Sequence, residues 1–320
     1  MLVFRIIDNK IWTFTDPKSG EYRQVKKLGF GAGVEPEFRI PDEYLKKQEF
    51  VVMRTCFGLG DWGILTSMPR LLKQKYPSCK VYLPSEKLLN KLFPEDYITN
   101  WINTWPDPYK SCELVFKNNP YIDGIKDSVD GEIYHDHFRV YKSYAPEFPL
   151  VEQMLKFWQF EEDECKDSAP DLFWSDEEIQ LGDSIIKEYF GDEDFAGFIA
   201  TTSELKDGEF YKKNINERII KVIKEFDKQY KYVYYSGVDI KETPFKDNVN
   251  VKLDFKNTDI SIRVQLYIRS RAKFNIGYQS SMYDMLPRYT KIICVPNYCS
   301  DYDTDDNLGD NYSRVIEYLR

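Results

Sequence analysis

Histidine is almost absent from this 320-residue chain, which has only His135 and His137. An H-D-H arrangement on a strand places both imidazoles on one face, but two ligands do not complete a metal site. The six cysteines form no Cys-x-x-Cys pair, and their spacings fit no zinc template. We therefore expect free thiols in a reducing compartment and no metal cofactor.

Basic residues are outnumbered as well: 44 Lys and Arg against 53 Asp and Glu give a net charge of −9. This balance counts against a nucleic-acid partner, which needs a basic stripe, and allows at most peripheral contact with anionic membranes. No stretch approaches the length of apolar residues that a membrane-spanning helix needs. The first residues include Arg5 and Asp8, unlike a signal peptide, so we expect a soluble, cytoplasmic protein.

Short apolar strands alternate with amphipathic helices along most of the chain. Phe50–Thr55 is a predicted strand, the apolar residues over Ile64–Tyr76 recur at helical spacing, and Lys80–Leu83 is the next strand. Repeated β-α-β units build parallel sheets. The predicted fold class is α/β, with two Rossmann-like doubly wound domains over residues 49–168 and 169–320. Residues 1–48 form a small N-terminal β-hairpin extension.

Further elements follow from caps, turns and apolar spacing. In the first domain they are a helix over Glu86–Phe93 capped by Ser85, a strand over Leu114–Phe116 and a turn over Asn119–Gly124. In the second they are a helix opened by a Ser175/Glu178 capping box, helices over Asn214–Tyr230 and Ile260–Arg271, and strands over Gly197–Thr201, Tyr232–Tyr235, Val249–Phe255, Lys273–Gly277 and Ile292–Pro296.

A glycine-rich turn follows the first strand of the first domain. Gly58 and Gly60 allow the backbone to approach a ligand closely, and Asp61 precedes the helix expected from about Ile64. The positive end of a helix dipole keeps such a carboxylate ionised, and an ionised carboxylate can act as a general base. Capping of the helix by Asp61 is the structural alternative.

Two loops of the second domain carry groups suited to a diphosphate. Thr201, Thr202 and Ser203 follow one strand, and Lys206 adds a positive charge. Lys212 and Lys213 compete for that role, and an ordinary Ser/Thr turn is the alternative.

The other loop carries Gln279, Ser280 and Ser281, which open a short predicted helix whose free N–H groups suit an anion. An N-cap without a ligand is the alternative there. Gly237 follows a third strand end, and ligands of α/β sheets bind at such carboxyl ends.

Five stretches resemble the heptosyltransferase family of glycosyltransferases, family 9, and together they cover roughly residues 50–300. The first, Gly58–Leu83, resembles the family's G-D turn, its Thr/Ser-x-x-Pro helix and its K-x-x-Y-P helix end. The second, Asn119–Ile125 (NPYIDGI), resembles its NPYIDEV turn. The others are Ala169–Ile179, Phe198–Lys206 and Asn275–Leu286.

The resemblance implies a GT-B fold, with a nucleotide-sugar site in the cleft between two domains and no need for a metal. Asp61 would be the catalytic base, and Thr201, Thr202, Lys206, Ser280 and Ser281 would hold the donor diphosphate. The family's Asp is Gln279 here, its Gly is Ser281, and its His falls on Asp284. These departures affect the donor pocket and leave the nucleotide and sugar open.

The expected function is therefore an inverting transfer of a sugar from a nucleoside-diphosphate sugar to a glycan or lipopolysaccharide-type acceptor. A non-catalytic nucleotide-sugar or glycan-binding protein on the same fold is the main alternative. An epimerase or phosphorylase is a further alternative, although an epimerase needs more acid–base groups than two histidines supply.

Two other features of the sequence can be explained by structure without a catalytic role. The acidic string Asp301, Asp303, Asp305 and Asp306 reads as a solvated loop. The cluster Trp101, Trp105 and Tyr109 suits either a sugar contact or core packing.

Overall fold

The computed structural model describes residues 3–7, 10–16, 21–24, 48–52, 59–92, 108–128, 160–161, 163–164, 167–199, 230–235, 247–278 and 285–295. The chain divides between Leu172 and Phe173 into two units, here called unit 1 and unit 2. Among the described helices, none has the length and apolar character needed to cross a membrane.

Unit 1 begins with an antiparallel sheet of three strands. Strand β1 (Val3–Ile7) pairs with β2 (Lys10–Asp16), which pairs with β3 (Glu21–Gln24). Ile7 and Lys10 are the last partners of the first pair, so the connection between them is Asp8-Asn9. Two residues are the shortest common connection between paired antiparallel strands.

A parallel sheet in the order β4-β5-β6 follows in unit 1. Its strands are β4 (Glu49–Val51), β5 (Lys80–Pro84) and β6 (Gly124–Lys126). Helix α1 (Leu59–Gly63), a 3-10 turn (Ile64–Ser67) and helix α2 (Met68–Lys75) connect β4 to β5. Helices α3 (Glu86–Leu92) and α4 (Pro108–Phe116) lie between β5 and β6.

The predicted strand over Leu114–Phe116 is wrong, because these residues form the last turn of α4. The buried positions of this helix are Ser111, Cys112, Val115 and Phe116, a spacing that one helix face produces. A three-residue apolar run does not distinguish a strand from one turn of a buried helix. The helix expected from about Ile64 also begins earlier, at Leu59.

Unit 2 contains a five-stranded parallel sheet in the order β11-β10-β7-β8-β9. The strands are β7 (Phe195–Ile199), β8 (Lys231–Tyr235), β9 (Val251–Asp254), β10 (Phe274–Tyr278) and β11 (Lys291–Val295). Helix α5 (Asp176–Phe190) precedes β7, and α6 (Ile262–Ser270) connects β9 to β10. The chain fills the sheet outward from β7 in both directions, which is the Rossmann order. Parallel-strand α/β architecture is therefore confirmed.

Local signals set the ends of several elements as predicted. The Ser175 hydroxyl accepts from the N–H of Glu178, and the Glu178 carboxylate accepts from the N–H of Ser175, which completes the capping box of α5. The Ser85 hydroxyl accepts from the N–H of Leu88 at the start of α3. The helix predicted over Asn214–Tyr230 falls almost entirely outside the described residues.

Helices α5 and α6 of unit 2 pack closely at Gly182. A Cβ atom on Gly182 would lie 2.2 Å from Cδ1 of Tyr267, so only glycine allows this approach. The Tyr267 hydroxyl donates to Asp183 at 2.7 Å, which fixes the ring over the glycine. Burial and this hydrogen bond raise the pKa of Tyr267 to about 12.

We expect Gly182→Ala to lower the free energy of unfolding by about 1–3 kcal/mol, because the methyl group forces the two helices apart. Denaturant unfolding of the full chain measures the change. Ser184→Ala is the matched control, since Ser184 is exposed on the same helix and should leave stability almost unchanged. Equal stability of the Gly182 variant and the wild type would show that α5 and α6 are not packed as described.

Candidate functional site

The order of strands reverses between β7 and β10 of unit 2, which makes their carboxyl ends a topological switch point. The two strands are parallel neighbours, with Ile276 opposite Phe198 and Gly277 opposite Ile199. Adjacent strands lie about 4.8 Å apart, so the two strands end side by side. Ligands of open α/β sheets in general bind in the crevice outside such strand ends.

The two loops proposed from sequence to hold a diphosphate leave the sheet at this switch point. Thr201 follows the last residue of β7 by two positions, and Ser280 follows the last residue of β10 by two. The loops therefore start from adjacent strand ends. The candidates Thr201, Thr202, Ser203, Lys206, Lys212, Gly237, Gln279, Ser280, Ser281 and Asp284 all lie outside the described residues, so their roles stay predictions.

A buried polar cluster, which we call the switch-point clamp, joins β7 near its carboxyl end, at Phe198, to the first half of β10, at Asn275. Arg269 of α6 is 0 % exposed. Its Nη2 donates to the carbonyl oxygen of Phe198 at 2.9 Å, and its Nη1 donates to Oδ1 of Asn275 at 3.3 Å. The guanidinium also lies over the ring of Phe255, 5.2 Å from the ring centre. One side chain thus joins β7 and β10 on one face of the sheet.

Asn275 extends the clamp to the entry of β11. Its Nδ2 donates to the carbonyl oxygen of Arg269 at 2.9 Å and to the hydroxyl of Thr290 at 3.4 Å. Thr290 in turn donates to the carbonyl oxygen of Ala272 at 2.8 Å. A Cβ atom on Gly197 would lie 1.8 Å from Oδ1 of Asn275, so Gly197 leaves the space that the amide fills.

The second candidate region is the turn after β4 in unit 1. Asp61 is the third residue of α1, so its backbone lies in the first turn of that helix. Gly60 and Trp62 on either side of it are buried. The side chain of Asp61 and the whole of Gly58 lie outside the described residues, and the role of Asp61 as a base stays a prediction.

The helices that follow Asp61 are held by the segment that ends unit 1. Arg70 donates through Nε to Asp171 at 2.7 Å and through Nη2 to the carbonyl oxygen of Asp167 at 2.7 Å. The hydroxyl of Ser67 donates to the carbonyl oxygen of Ser168 at 2.8 Å. Arg70 and Asp171 are both buried, so each needs the other to compensate its charge.

Asn119 and Asp123 fix the NPYIDG turn to the same helices. The Asn119 amide donates to the carbonyl oxygen of Thr66 at 3.2 Å. Asp123 accepts from Lys73 at 2.7 Å, from the N–H of Val81 at 2.8 Å and from Lys80 at 3.2 Å. The segments Asn119–Ile125 and Ala169–Ile179, which resemble family 9, therefore each contact the segment Gly58–Leu83.

Sequence reasoning missed the switch-point clamp. Its signals were a glycine inside a strand, at Gly197, and a polar residue inside another, at Asn275. A strand glycine often marks close approach of another group. Neither signal identifies its partner, because the contact joins positions far apart in the chain.

The remaining candidates from the sequence are two histidines, an aromatic cluster and an acidic string. His135, His137, Trp101, Trp105 and the acidic string over 301–306 lie outside the described residues. Tyr109 is half-buried in α4, where burial and then the charge of Glu113 raise its pKa. Within the described part of the chain, no three His, Cys, Asp or Glu side chains are grouped to hold a metal.

Unit 2 has the architecture of an α/β protein with a Rossmann-ordered sheet. No family model matches the sequence. No curated protein matches it either.

The solved structures to which the chain is similar include two transferases. One is a family 9 glycosyl transferase from Veillonella parvula, with a TM-score of 0.47 and 12 % identity over 85 % of both chains. The other is the E. coli ADP-heptose lipopolysaccharide heptosyltransferase II, with a TM-score of 0.41 and 11 % identity, covering 85 % of this chain and 89 % of that one. The first of these structures carries the name of the family that the motifs resemble. At such low identity and TM-score, activity has to be argued from this chain's own residues.

The carboxylate of Asp123 should make stability depend on pH. Burial alone would raise its pKa, but the hydrogen bonds from Lys73, Val81 and Lys80 outweigh burial and lower the pKa to about 2. The unfolded value is about 3.9. The stabilising contribution is therefore complete above about pH 4 and is lost as the pH falls toward 2.

We expect Asp123→Asn to be less stable than the wild type by on the order of 1 kcal/mol at pH 7, and this difference to shrink between pH 4 and pH 2. Urea unfolding at several pH values measures it. Asp192→Asn removes the exposed ion pair with Lys187 and should change nothing measurable. A difference for Asp123→Asn that stays constant with pH would rule out the ionised carboxylate as its cause.

Proposed function

We propose that this protein is a metal-independent glycosyltransferase that moves a sugar from a nucleoside-diphosphate sugar to a hydroxyl group of a glycan or glycolipid acceptor. The observation that carries the proposal is the switch point of unit 2. There the strand ends that lead into the Thr201 loop and the Ser280 loop are in-register neighbours. Two loops that start together can contact the same small ligand, which supports one shared diphosphate site.

The donor half of the proposal follows from the chemistry of those loops. Hydroxyls of Thr201, Thr202, Ser280 and Ser281 and free backbone N–H groups donate hydrogen bonds to phosphate oxygens. Lys206, or Lys212 in its place, supplies a positive charge. As the sugar leaves, negative charge builds on the diphosphate, and pre-arranged donors stabilise that charge without a metal.

The transfer step needs one base. The acceptor hydroxyl attacks the anomeric carbon, and its proton passes to the Asp61 carboxylate. A bond forms between the acceptor oxygen and the anomeric carbon as the bond from that carbon to the diphosphate oxygen breaks. The diphosphate leaves with the electron pair. A single displacement of this kind inverts the anomeric centre, and general base catalysis contributes about 10²–10⁴-fold.

A non-catalytic nucleotide-sugar or glycan-binding protein is the second candidate. The residues Gln279, Ser281 and Asp284 favour it, since they replace the Asp, Gly and His of the family pattern. Both candidates share the donor site at the switch point. They differ in whether the bound sugar is transferred.

We expect Asp61→Asn to lower the rate of sugar transfer by about 10²–10⁴-fold, because the amide cannot accept the acceptor's proton. The dissociation constant for the donor should stay within about twofold, since a factor of two is less than 0.5 kcal/mol. Single-turnover transfer and calorimetric titration measure the two quantities. Retained transfer would exclude Asp61 as the base, and absence of transfer in the wild type with every donor would favour the binding protein.

We expect one of ADP, GDP, UDP or their sugar derivatives, or a CMP-sugar, to raise the melting temperature of the wild type. At 100 times its dissociation constant, a ligand stabilises the folded protein by about 2.7 kcal/mol. The double variant Thr201→Ala/Ser280→Ala should lose most of this shift, and Ser184→Ala, exposed on α5, should keep it. If no nucleotide shifts the wild type, the donor-site assignment is wrong.

A further inference from the structure

The boundary between unit 1 and unit 2 lies in a segment that is closely held for a domain junction. Residues 168–175 belong to no helix or strand. Boundaries between units usually fall in exposed, flexible linkers. Here Asp171 and Leu172, on the unit 1 side of the boundary, are only 5 % and 4 % exposed. Side-chain contacts must therefore fix the course of the chain through the junction.

The unit 1 side of the boundary is held by Arg70 and Thr66. The Asp171 carboxylate accepts from Nε of Arg70 at 2.7 Å. The N–H of Asp171 donates to the hydroxyl oxygen of Thr66 at 3.0 Å, and that hydroxyl donates to the carbonyl oxygen of Gly63 at 2.7 Å. Both the backbone and the side chain of Asp171 are thus fixed to the 3-10 turn and α2.

The unit 2 side is held by Arg263 of α6, which is 5 % exposed. Its Nε donates to Glu178 at 2.7 Å, and its Nη2 donates to Glu178 at 3.0 Å and to the carbonyl oxygen of Phe173. The indole N–H of Trp174 donates back to the carbonyl oxygen of Arg263 at 3.1 Å. The first residues of unit 2 are therefore bound to α6, and Glu178 joins the same guanidinium to the first turn of α5.

The two anchors leave very little chain between them. Asp171 is the last residue that Arg70 holds, and the carbonyl of Phe173 is the first group that Arg263 holds. Each residue contributes only two soft backbone dihedrals, because the peptide bond is planar. Rotation between the anchors is therefore limited to ψ of Asp171, φ and ψ of Leu172 and φ of Phe173. The anchors are separate, since Arg70 and its partners belong to unit 1 and Arg263 and its partners belong to unit 2.

We infer that this junction is a short hinge locked from both sides, and not a flexible linker. Arg70 and Arg263, one from each unit, hold the chain on either side of the boundary. Any rotation of one unit against the other is taken up by the backbone between Asp171 and Phe173, as hinges use a few residues at the ends of elements. Buried charges are costly unless their hydrogen bonds are made, so the anchors favour one course of the chain. The inference needs no ligand and stands independently of the proposed function.

The test measures how widely the two units of the full-length protein move against each other. Spin labels on unnatural amino acids at Lys87 of unit 1 and Ser184 of unit 2, both exposed, report the distance distribution by pulsed electron paramagnetic resonance. We expect the distribution to broaden about twofold or more in Arg70→Met and in Arg263→Met, since each frees one side of the hinge. Arg271→Met is the matched control, because Arg271 is exposed at the end of α6 and should leave the width unchanged.

Two glycines inserted after Leu172 set the scale of the measurement, because they lengthen the hinge and leave both anchors in place. This insertion should broaden the distribution at least as much as either arginine variant. An insertion without effect would show that other contacts hold the units, and it would overturn the inference. Broadening by the insertion but by neither arginine variant would overturn it as well, since the anchors would then not limit the motion.

Loss of either arginine leaves a buried carboxylate without its partner, so a milder pair of variants covers the case in which those proteins do not fold. Thr66→Val removes the acceptor of the Asp171 N–H, and Trp174→Phe removes the indole N–H but keeps an aromatic ring. We expect both to broaden the distribution, though by less than the insertion. Wild-type widths in both variants, beside a broadened insertion variant, would refute the locked hinge.

Discussion

The parallel pairing of β7 with β10 is the constraint on which the rest of unit 2 depends. It places the last residues of two strands side by side, although their loops come from distant parts of the chain. The pairing is reinforced on one face by Arg269, which donates to Phe198 and Asn275. Gly197 is the necessary complement, since any side chain there would displace the Asn275 amide. Sheet order and side-chain packing are thus parts of one arrangement.

In unit 1, ion pairs and hydrogen-bonded turns hold the helices in place. The helices that follow the glycine-rich turn are held by Asp171 through Arg70 and by Asn119 through the backbone of Thr66. These contacts are polar and mostly buried. They therefore strongly favour the one arrangement of helices and turns in which all their hydrogen bonds are made. They hold the 3-10 turn and α2, which follow α1 in the chain. The residues of unit 1 that match family 9 motifs therefore mainly hold the scaffold together.

The resemblance of unit 1 to family 9 therefore concerns residues that pack the fold, and it says little about the chemistry. Residues that pack a Rossmann sheet recur wherever such a sheet is built, and they say little about the reaction. The donor-loop candidates are where this chain departs from the family pattern, at Gln279, Ser281 and Asp284. The choice between transfer and simple binding therefore depends on those loops and on Asp61, and the fold by itself permits both.

The sequence alone determined the features that arise between near neighbours in the chain. The capping box of Ser175 and Glu178, the Ser85 cap and most strand positions follow from local hydrogen bonding and periodicity. The prediction for Leu114–Phe116 was wrong because three apolar residues carry no period, and only their burial beside Ser111 and Cys112 identifies a helix. The tertiary structure decided which strands are adjacent and which polar groups meet beneath them. Those contacts depend on chain segments far apart in sequence, and no local pattern around Arg269 or Asn275 specifies its partner.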